Sequence, residues 1–246
     1  MVYTEGMGIV DLDGARVIPS LRVGCEGEAY CAACPDCPGG RRGVLEVLVG
    51  RTKSTCRFET AVVDERAFAP ASWNERYGFG LVRRGVLVRQ RVDAEGFATA
   101  IDAAGPGCLF WIDRGGAELG YAATDLIVCL CPRASLDDAL ERHTEIGRDL
   151  LRLQREANLR VERLTEARGA PTVRARVARL LRVLSETLSP PRTRTRLPSG
   201  LQQRDMSKLL GVRHETFCRA LKKLETAGAI QRSPDGIAIL DPSLLG

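Results

Sequence analysis

The sequence predicts an α+β chain in three parts: an antiparallel β-domain of short strands, one long amphipathic helix, and a small basic helical domain closed by a hairpin. Three observations predict it. Apolar and β-branched runs separated by Gly/Pro turns fill Val44 to Cys131. From Ser135 to Arg168 apolar residues recur at steps of three and four, with no proline and one glycine. Beyond Gly169 a helix, a glycine turn, a second helix and a hairpin follow in order. The expected division is a cysteine-rich segment at 1–43, a β-domain at 44–134, the long helix at 135–168 and a C-terminal domain at 169–246.

In the β-domain, Leu81-Val82-Arg83-Arg84-Gly85-Val86-Leu87-Val88 reads as a strand run, and Asp93-Ala94-Glu95-Gly96 supplies a turn. Gly105-Pro106-Gly107 and Gly115-Gly116 punctuate the chain before Leu126-Ile127-Val128-Cys129-Leu130, whose unbroken apolar character marks a buried strand. Short strands at this spacing suggest a small antiparallel barrel or sandwich. On the long helix, Ile146, Leu150, Leu153, Ala157, Val161 and Leu164 form one apolar stripe flanked by Arg and Glu. A stripe of that length has to be covered, either by a parallel copy of itself in a coiled-coil dimer or by the β-domain of its own chain.

After Gly169-Ala170-Pro171, a helix is expected from Thr172 to Leu188, ended by Ser189-Pro190-Pro191. Leu201 to Leu210 reads as a short helix, and Gly211 stands where a tight turn needs positive φ. Val212 to Leu224 reads as the next helix, with Val212, Phe217, Ala220, Leu221 and Leu224 on its inner face. Gly228 stops it, and Ala229 to Leu240 forms two short apolar runs around Pro234-Asp235-Gly236. That order is a winged helix-turn-helix. From Arg168 onward there are 15 Lys+Arg against six Asp+Glu, a net +9, whereas residues 1–167 carry −4. The asymmetry suits a domain that binds double-stranded DNA joined to a sensing or assembly part; a solvated basic face would give the same count. Arg192, Arg194 and Arg196 read as phosphate contacts or a solvated linker.

Composition excludes several classes. The 246 residues include nine cysteines and two histidines, and the longest apolar run, Leu126 to Cys131, is far too short to cross a bilayer. Glu5, Asp11 and Asp13 interrupt the start of the chain, so no secretory signal is expected and a cytoplasmic location is. Reducing conditions there argue against a disulfide framework, leaving metal binding, redox chemistry or burial for the cysteines. His143 and His214 are too far apart in sequence to suggest an imidazole-rich site, and no acid, base and nucleophile set suggests an enzyme. Cys31-Ala-Ala-Cys34-Pro-Asp-Cys37-Pro, with Cys25 six residues earlier, is a dense thiolate segment whose small and proline spacers let a backbone fold round a metal centre. Four thiolates accept zinc or an iron–sulfur cluster equally well, and a reversible thiol switch is a third reading. Cys56, Cys108 and Cys131 read as buried thiols; Cys131 shares a strand face with Cys129.

Leu81-Val82-Arg83-Arg84-Gly85, Asp125-Leu126-Ile127-Val128-Cys129-Leu130-Cys131-Pro132 and Gly211-Val212-Arg213-His214-Glu215-Thr216-Phe217-Cys218-Arg219-Ala220-Leu221 together resemble the superfamily of the cyclic-AMP receptor protein and the fumarate–nitrate reduction regulator, over roughly Val44 to Leu240. The resemblance implies a homodimeric transcription regulator acting with RNA polymerase. Its parts would be a cyclic-nucleotide-binding-like β-barrel of the double-stranded β-helix type, a dimerisation helix and a winged helix-turn-helix. A cyclic nucleotide is disfavoured, because Gly107 to Trp111 and Gly120 to Ala123 lack the Gly-Glu and Arg-Ser/Thr pairs that grip its ribose phosphate. In the fumarate–nitrate type, an N-terminal cysteine group and one later cysteine hold a 4Fe–4S cluster. Cys129 matches the later position, which favours iron–sulfur over zinc and assigns Cys31, Cys34, Cys37 and Cys129, with Cys25 in reserve. The two successive two-residue gaps here depart from that type, which has one short and one longer gap. The exposed start of the recognition helix would be Arg213, His214, Glu215, Cys218 and Arg219. The resemblance makes Glu215 and Arg219 the base-reading pair on TTGA-like half-sites, with Cys218 in place of a serine and His214 in place of an apolar residue.

Overall fold

A computed structural model of the chain describes residues 58–113, 118–142, 144–188 and 196–245, together with the short strands β1 (Ile9–Val10) and β2 (Arg16–Ile18). It is an α+β fold. The β-domain consists of β3 (Glu59–Val63), a helical turn α1 (Trp73–Arg76), and β4 (Tyr77–Arg84) to β9: β5 (Leu87–Val92), β6 (Ala98–Ala104), β7 (Leu109–Trp111), β8 (Glu118–Ala122) and β9 (Leu126–Pro132). Among the described residues these form two antiparallel sheets, in the orders β1-β2-β3-β9-β4-β7 and β6-β5-β8. Strand alternation decides what each face does. Val82, Leu126, Val128 and Leu130 of the first sheet and Leu87, Ala104 and Ala122 of the second share a core between the sheets. Cys129 and Cys131 point the other way, into a second cluster with Phe79, Leu81, Leu136, Ala139, Leu150 and Leu153.

The run from Leu81 to Val88 is not one strand. Gly85, at φ +85°, turns the chain from β4 in the first sheet into β5 in the second. A side chain there would strike the Asp125 carbonyl oxygen, its Cβ only 2.2 Å away, so the corner needs glycine for space as well as for conformation. The expected turn at Asp93 to Gly96 is present: Asp93 Oδ1 accepts from the backbone N–H groups of Glu95 and Phe97 and ties off the β5–β6 hairpin.

The described residues of the long helix are α2 (Arg133–Arg142) and α3 (Thr144–Arg168), with His143 between them outside the described residues. Both cover the outer face of the first sheet. Leu150 and Leu153 share a cluster with Cys129 and Cys131, while Leu164 joins a larger core with Val86, just before β5, with Val88 and Ala100 of the second sheet and with α4 (Val173–Leu188). The stripe expected to pair with a second chain is thus buried inside one chain at Leu150, Leu153, Ala157 and Leu164; Val161 is half-buried, and the Ile146 side chain lies outside the described residues. The physical reason is the sheet's apolar outer face, which these helices cover. Midway, α3 is also held by charge: Arg160 donates to Asp102 Oδ2 at 3.0 Å and to the Leu109 carbonyl at 3.0 Å, and Asp102 is 1% exposed.

The C-terminal domain follows as β10 (Arg196–Pro198), α5 (Gln203–Leu210), α6 (His214–Thr226), β11 (Ile230–Ser233) and β12 (Gly236–Ile239), ending in a 3₁₀ turn at Pro242–Leu245. β10, which the sequence did not signal, pairs with β12 and makes the wing a three-stranded sheet. Its signal was weak because three residues ending in proline show no alternation.

Candidate nucleic-acid interface

The two helices of the reading unit are specified locally. α5 starts with a capping box, in which the Gln202 side chain accepts the Asp205 backbone N–H and the Asp205 carboxylate accepts the Gln202 N–H at 3.0 Å. It ends at Gly211, φ +66°, whose N–H returns to the carbonyls of Ser207 and Lys208. Nothing stands within 4 Å of a Cβ built there, so conformation alone requires the glycine. Arg213, in extended conformation, is the N-cap residue of α6. Phe217, Leu221 and Leu224 of α6 are fully buried in one core with Met206, Leu209 and Leu210 of α5, which fixes the angle between the helices.

That burial turns the remaining face of α6 outward. Arg213, His214, Glu215 and Arg219 are all exposed, and Cys218 is half-buried. Pairs four residues apart share a face, so His214 and Cys218 stand together, as do Glu215 and Arg219. The Cys218 thiol donates to Gln203 Oε1 at 3.2 Å and lies 3.5 Å from His214 Nε2, which draws α5 into the same surface. A groove beside the start of α6 is lined by Gln202, Gln203, Arg204, His214, Arg232 and Ser233. The wing is set on α6 by one ion pair: the Arg232 backbone N–H donates to Glu225 Oε1 and its guanidinium donates to Oε2 through two nitrogens. Hydrogen bonds from the Arg232 side chain and then its backbone hold the Glu225 carboxyl below its ordinary range. The same pairing raises the Arg232 guanidinium against a smaller opposing effect of burial. Gln203, Arg204 and Arg232 were not singled out from the sequence. The signal available was their place at the start of α5 and in the wing strand, where the fold brings them beside α6.

All five expected DNA-facing residues lie on or at the N-terminus of one helix. The expected metal ligands are divided. Cys25, Cys31, Cys34 and Cys37 fall outside the described residues, as does Cys56. Cys129 is 8% exposed on β9, opposite Thr60 of β3 and Leu81 of β4. Thr60 in turn pairs with Ile18 of β2. One row, Ile18-Thr60-Cys129-Leu81, therefore crosses four strands. Cys131 is fully buried, as expected of a small apolar thiol, whereas Cys108, also read as buried, is half-buried against the inter-sheet core. Among the described residues no group of three or more His, Cys, Asp or Glu is placed to hold a metal ion, and no helix is long and apolar enough to cross a membrane.

Comparison with known proteins agrees with this geometry. Residues 175–246 match the family model of the Crp-like helix-turn-helix domain, so the C-terminal part of the chain carries that domain. Among solved structures, FixK2 from Bradyrhizobium japonicum is similar at 21% identity and a TM-score of 0.65, over 77% of this chain and 96% of that one. CooA from Carboxydothermus hydrogenoformans, in a mutant form, gives 18% identity and 0.60 over 82% and 93%. A transcriptional regulator of the CRP family from Thermus thermophilus gives 20% and 0.52 over 75% and 93%. At these identities the likeness is one of fold, and it extends through the β-domain and helices as well as the winged domain. A search of the curated proteins finds no match.

Proposed function

We propose that the chain is a DNA-binding transcription regulator that works as a homodimer. The observation that carries this reading is α6, which buries Phe217, Leu221 and Leu224 and presents Arg213, His214, Glu215 and Arg219 outward from a domain of the Crp-like helix-turn-helix family. In the major groove, the Arg219 guanidinium matches guanine O6 and N7 together, and the Glu215 carboxylate accepts from cytosine N4. Backbone N–H groups at the start of α6, with Arg213 beside them, suit phosphate. Binding of a duplex bearing two TTGA half-sites, titrated by fluorescence anisotropy against a scrambled duplex, tests the reading; equal affinities refute it.

The dimer would use a face of α3 that shares only Val161 with the expected stripe. Gly147, Leu151, Gln154, Asn158, Val161 and Thr165 follow steps of four and three, a coiled-coil seam, and none of them is buried in the single chain. Leu151 is 72% exposed. Gln154 Nε2 donates to Asn158 Oδ1 at 2.9 Å, and a polar pair at such a seam fixes register and favours two strands. Two copies would carry two recognition helices to successive major grooves and present one face to RNA polymerase.

The sensor in this reading is a 4Fe–4S cluster on Cys129 and three of Cys25, Cys31, Cys34 and Cys37. The strand topology supports it. Ile18 of β2 and Glu59 of β3 flank the cysteine segment along the chain, both within two strands of Cys129, at about 4.8 Å per strand. Cys25 follows Ile18 by seven positions, and seven extended steps span up to about 23 Å, so the N-terminal thiols are within reach of Cys129. When bound, such a cluster supplies reactivity toward oxygen or nitric oxide. On the protein side, Cys129 lies beneath Leu150 and Leu153, so a change in how it is held bears directly on α3 and the seam. Anaerobic purification with iron, sulfide and zinc quantification decides the cofactor: four iron and four sulfide per chain, lost in the Cys129→Ser variant, support the cluster, and one zinc replaces it with a structural metal.

A further inference from the structure

We propose that Asp205 is a joint through which the β-domain sets the orientation of the DNA-reading helices, with Arg66 and Tyr121 as its two holders. The Asp205 carboxylate is 3% exposed, yet it receives donors from both domains. From its own domain comes the Gln202 N–H that caps α5. From the β-domain, Arg66 Nη1 donates to Oδ2 at 2.7 Å and the Tyr121 hydroxyl donates to Oδ1 at 2.9 Å. Arg66 also donates to the Gly200 carbonyl at 2.9 Å, and Lys208 of α5 stands 5.4 Å over the Tyr121 ring. The contact is close-packed: a Cβ on Gly200 would lie 2.2 Å from Thr124 Cγ2. At the far end of α5, Arg168 links the Leu209 carbonyl to the Ala100 carbonyl of β6. α5 is therefore bridged to the β-domain at both termini, and α6 is packed on α5.

Two features make this a joint and not simply a contact. Arg66 is the one non-glycine residue at positive φ among the described residues, +69°, a conformation that persists only where the surroundings impose it. Its loop is stitched to β8, with Arg66 N–H donating to the Ala122 carbonyl, Ala69 N–H to that of Gly120, and Ala122 N–H to that of Ala67. Both holders of Asp205 thus ride on one unit. That unit also lines a cavity in the β-domain, through Ala69, Pro70 and Gly120, opposite Trp73 and Phe110. A displacement of the cavity wall moves Arg66 and Tyr121 together, and with them α5. The recognition face of α6 is exposed while the joint is made, so the device positions the helices and does not block them.

The joint itself is independent of the DNA-binding reading; its consequence for DNA rests on that reading. The test places spin labels through genetically encoded keto residues at Glu95, on a β-domain turn, and Lys222, on α6, in the full-length chain diluted with unlabelled protein, and reads the distance distribution by double electron–electron resonance. The parent should give one narrow peak. Tyr121→Phe, which removes only a hydroxyl, and Arg66→Gln should each broaden it at least twofold with circular dichroism unchanged, and Arg66→Lys should keep it narrow. Unchanged width in both Tyr121→Phe and Arg66→Gln overturns the joint whether or not the chain binds DNA. A width that changes in a chain with no DNA affinity keeps the joint and counts against the regulator reading alone.

Discussion

The winged domain and the β-domain are held together by different kinds of instruction. In the winged domain, nearly every decisive interaction is local: the Gln202–Asp205 capping box spans three residues, Gly211 closes one turn, and Glu225 and Arg232 are seven apart. In the β-domain the decisive interactions are distant. Asp102 meets Arg160 across 58 residues, and Arg133 ties off three carbonyls between 21 and 59 residues away, those of Asn74, Tyr77 and Ile112. A reading head made of local rules can be exchanged or retuned by few substitutions, whereas a frame made of long-range pairs fails as a whole when one pair is lost.

The largest effect should come from testing that frame. Asp102→Ala leaves the Arg160 guanidinium, 13% exposed, with the Leu109 carbonyl but without its carboxylate. The expected loss is about 3–5 kcal/mol of unfolding free energy, measured by urea denaturation. A change under about 1 kcal/mol would erase the contrast drawn between the two regions. The dimer seam comes next. Leu151→Ser should weaken self-association by about 2–4 kcal/mol in sedimentation equilibrium, since it removes an apolar contact from each chain. Leu150→Ser, one position away, should instead lower the stability of the single chain, because Leu150 lies under α3 against the sheet. If the two variants behave alike, the two faces of α3 do not have separate roles.

The sequence made the winged domain legible for the reason the comparison gives. Gly211, Gly228 and the Pro234-Asp235-Gly236 turn are local punctuation, and the inner face of α6 follows from a single helical period. The β-domain was legible as a class but not in its joints. Gly85 looked like part of a strand because its neighbours are apolar on both sides, and only the approach of the Asp125 carbonyl shows why the chain must turn there. On α3 the apolar stripe was visible, but periodicity states that a face is buried and not what buries it. The outward face of β9, carrying Cys129 and Cys131, was the missing partner. Asp205 illustrates the same limit. Its capping partner Gln202 is three residues away, while Arg66 and Tyr121 are 139 and 84 residues away.

Within the winged domain the expected effects are smaller and more specific. Arg219→Ala should remove about 1–3 kcal/mol of discrimination between a TTGA palindrome and a scrambled duplex, with little change in melting temperature, because Arg219 is exposed and supports no core. Retained discrimination in a competition titration would move base reading to another residue of α6.

The smallest effect concerns the ion pair that seats the wing. Glu225 has its folded pKa lowered by hydrogen bonds from Arg232. A lowered carboxyl contributes stability that is complete above its unfolded value, about 4.3, and is lost as pH falls through the folded value. The contribution to the winged domain should therefore be constant from neutral pH down to about 5 and disappear in the acid limb below the unfolded value. Both side chains are about one-third exposed, so its size should stay below about 1 kcal/mol and shrink with salt. Glu225→Gln should flatten that part of the acid limb, read by comparing thermal melts of parent and variant at pH 6 and in the acid range. Because the wing strand also carries Arg232 into the groove beside His214, the same variant should loosen that groove at neutral pH without altering α6 itself. A variant whose acid limb matches the parent's would show that β10 and β12, not the ion pair, hold the wing in place.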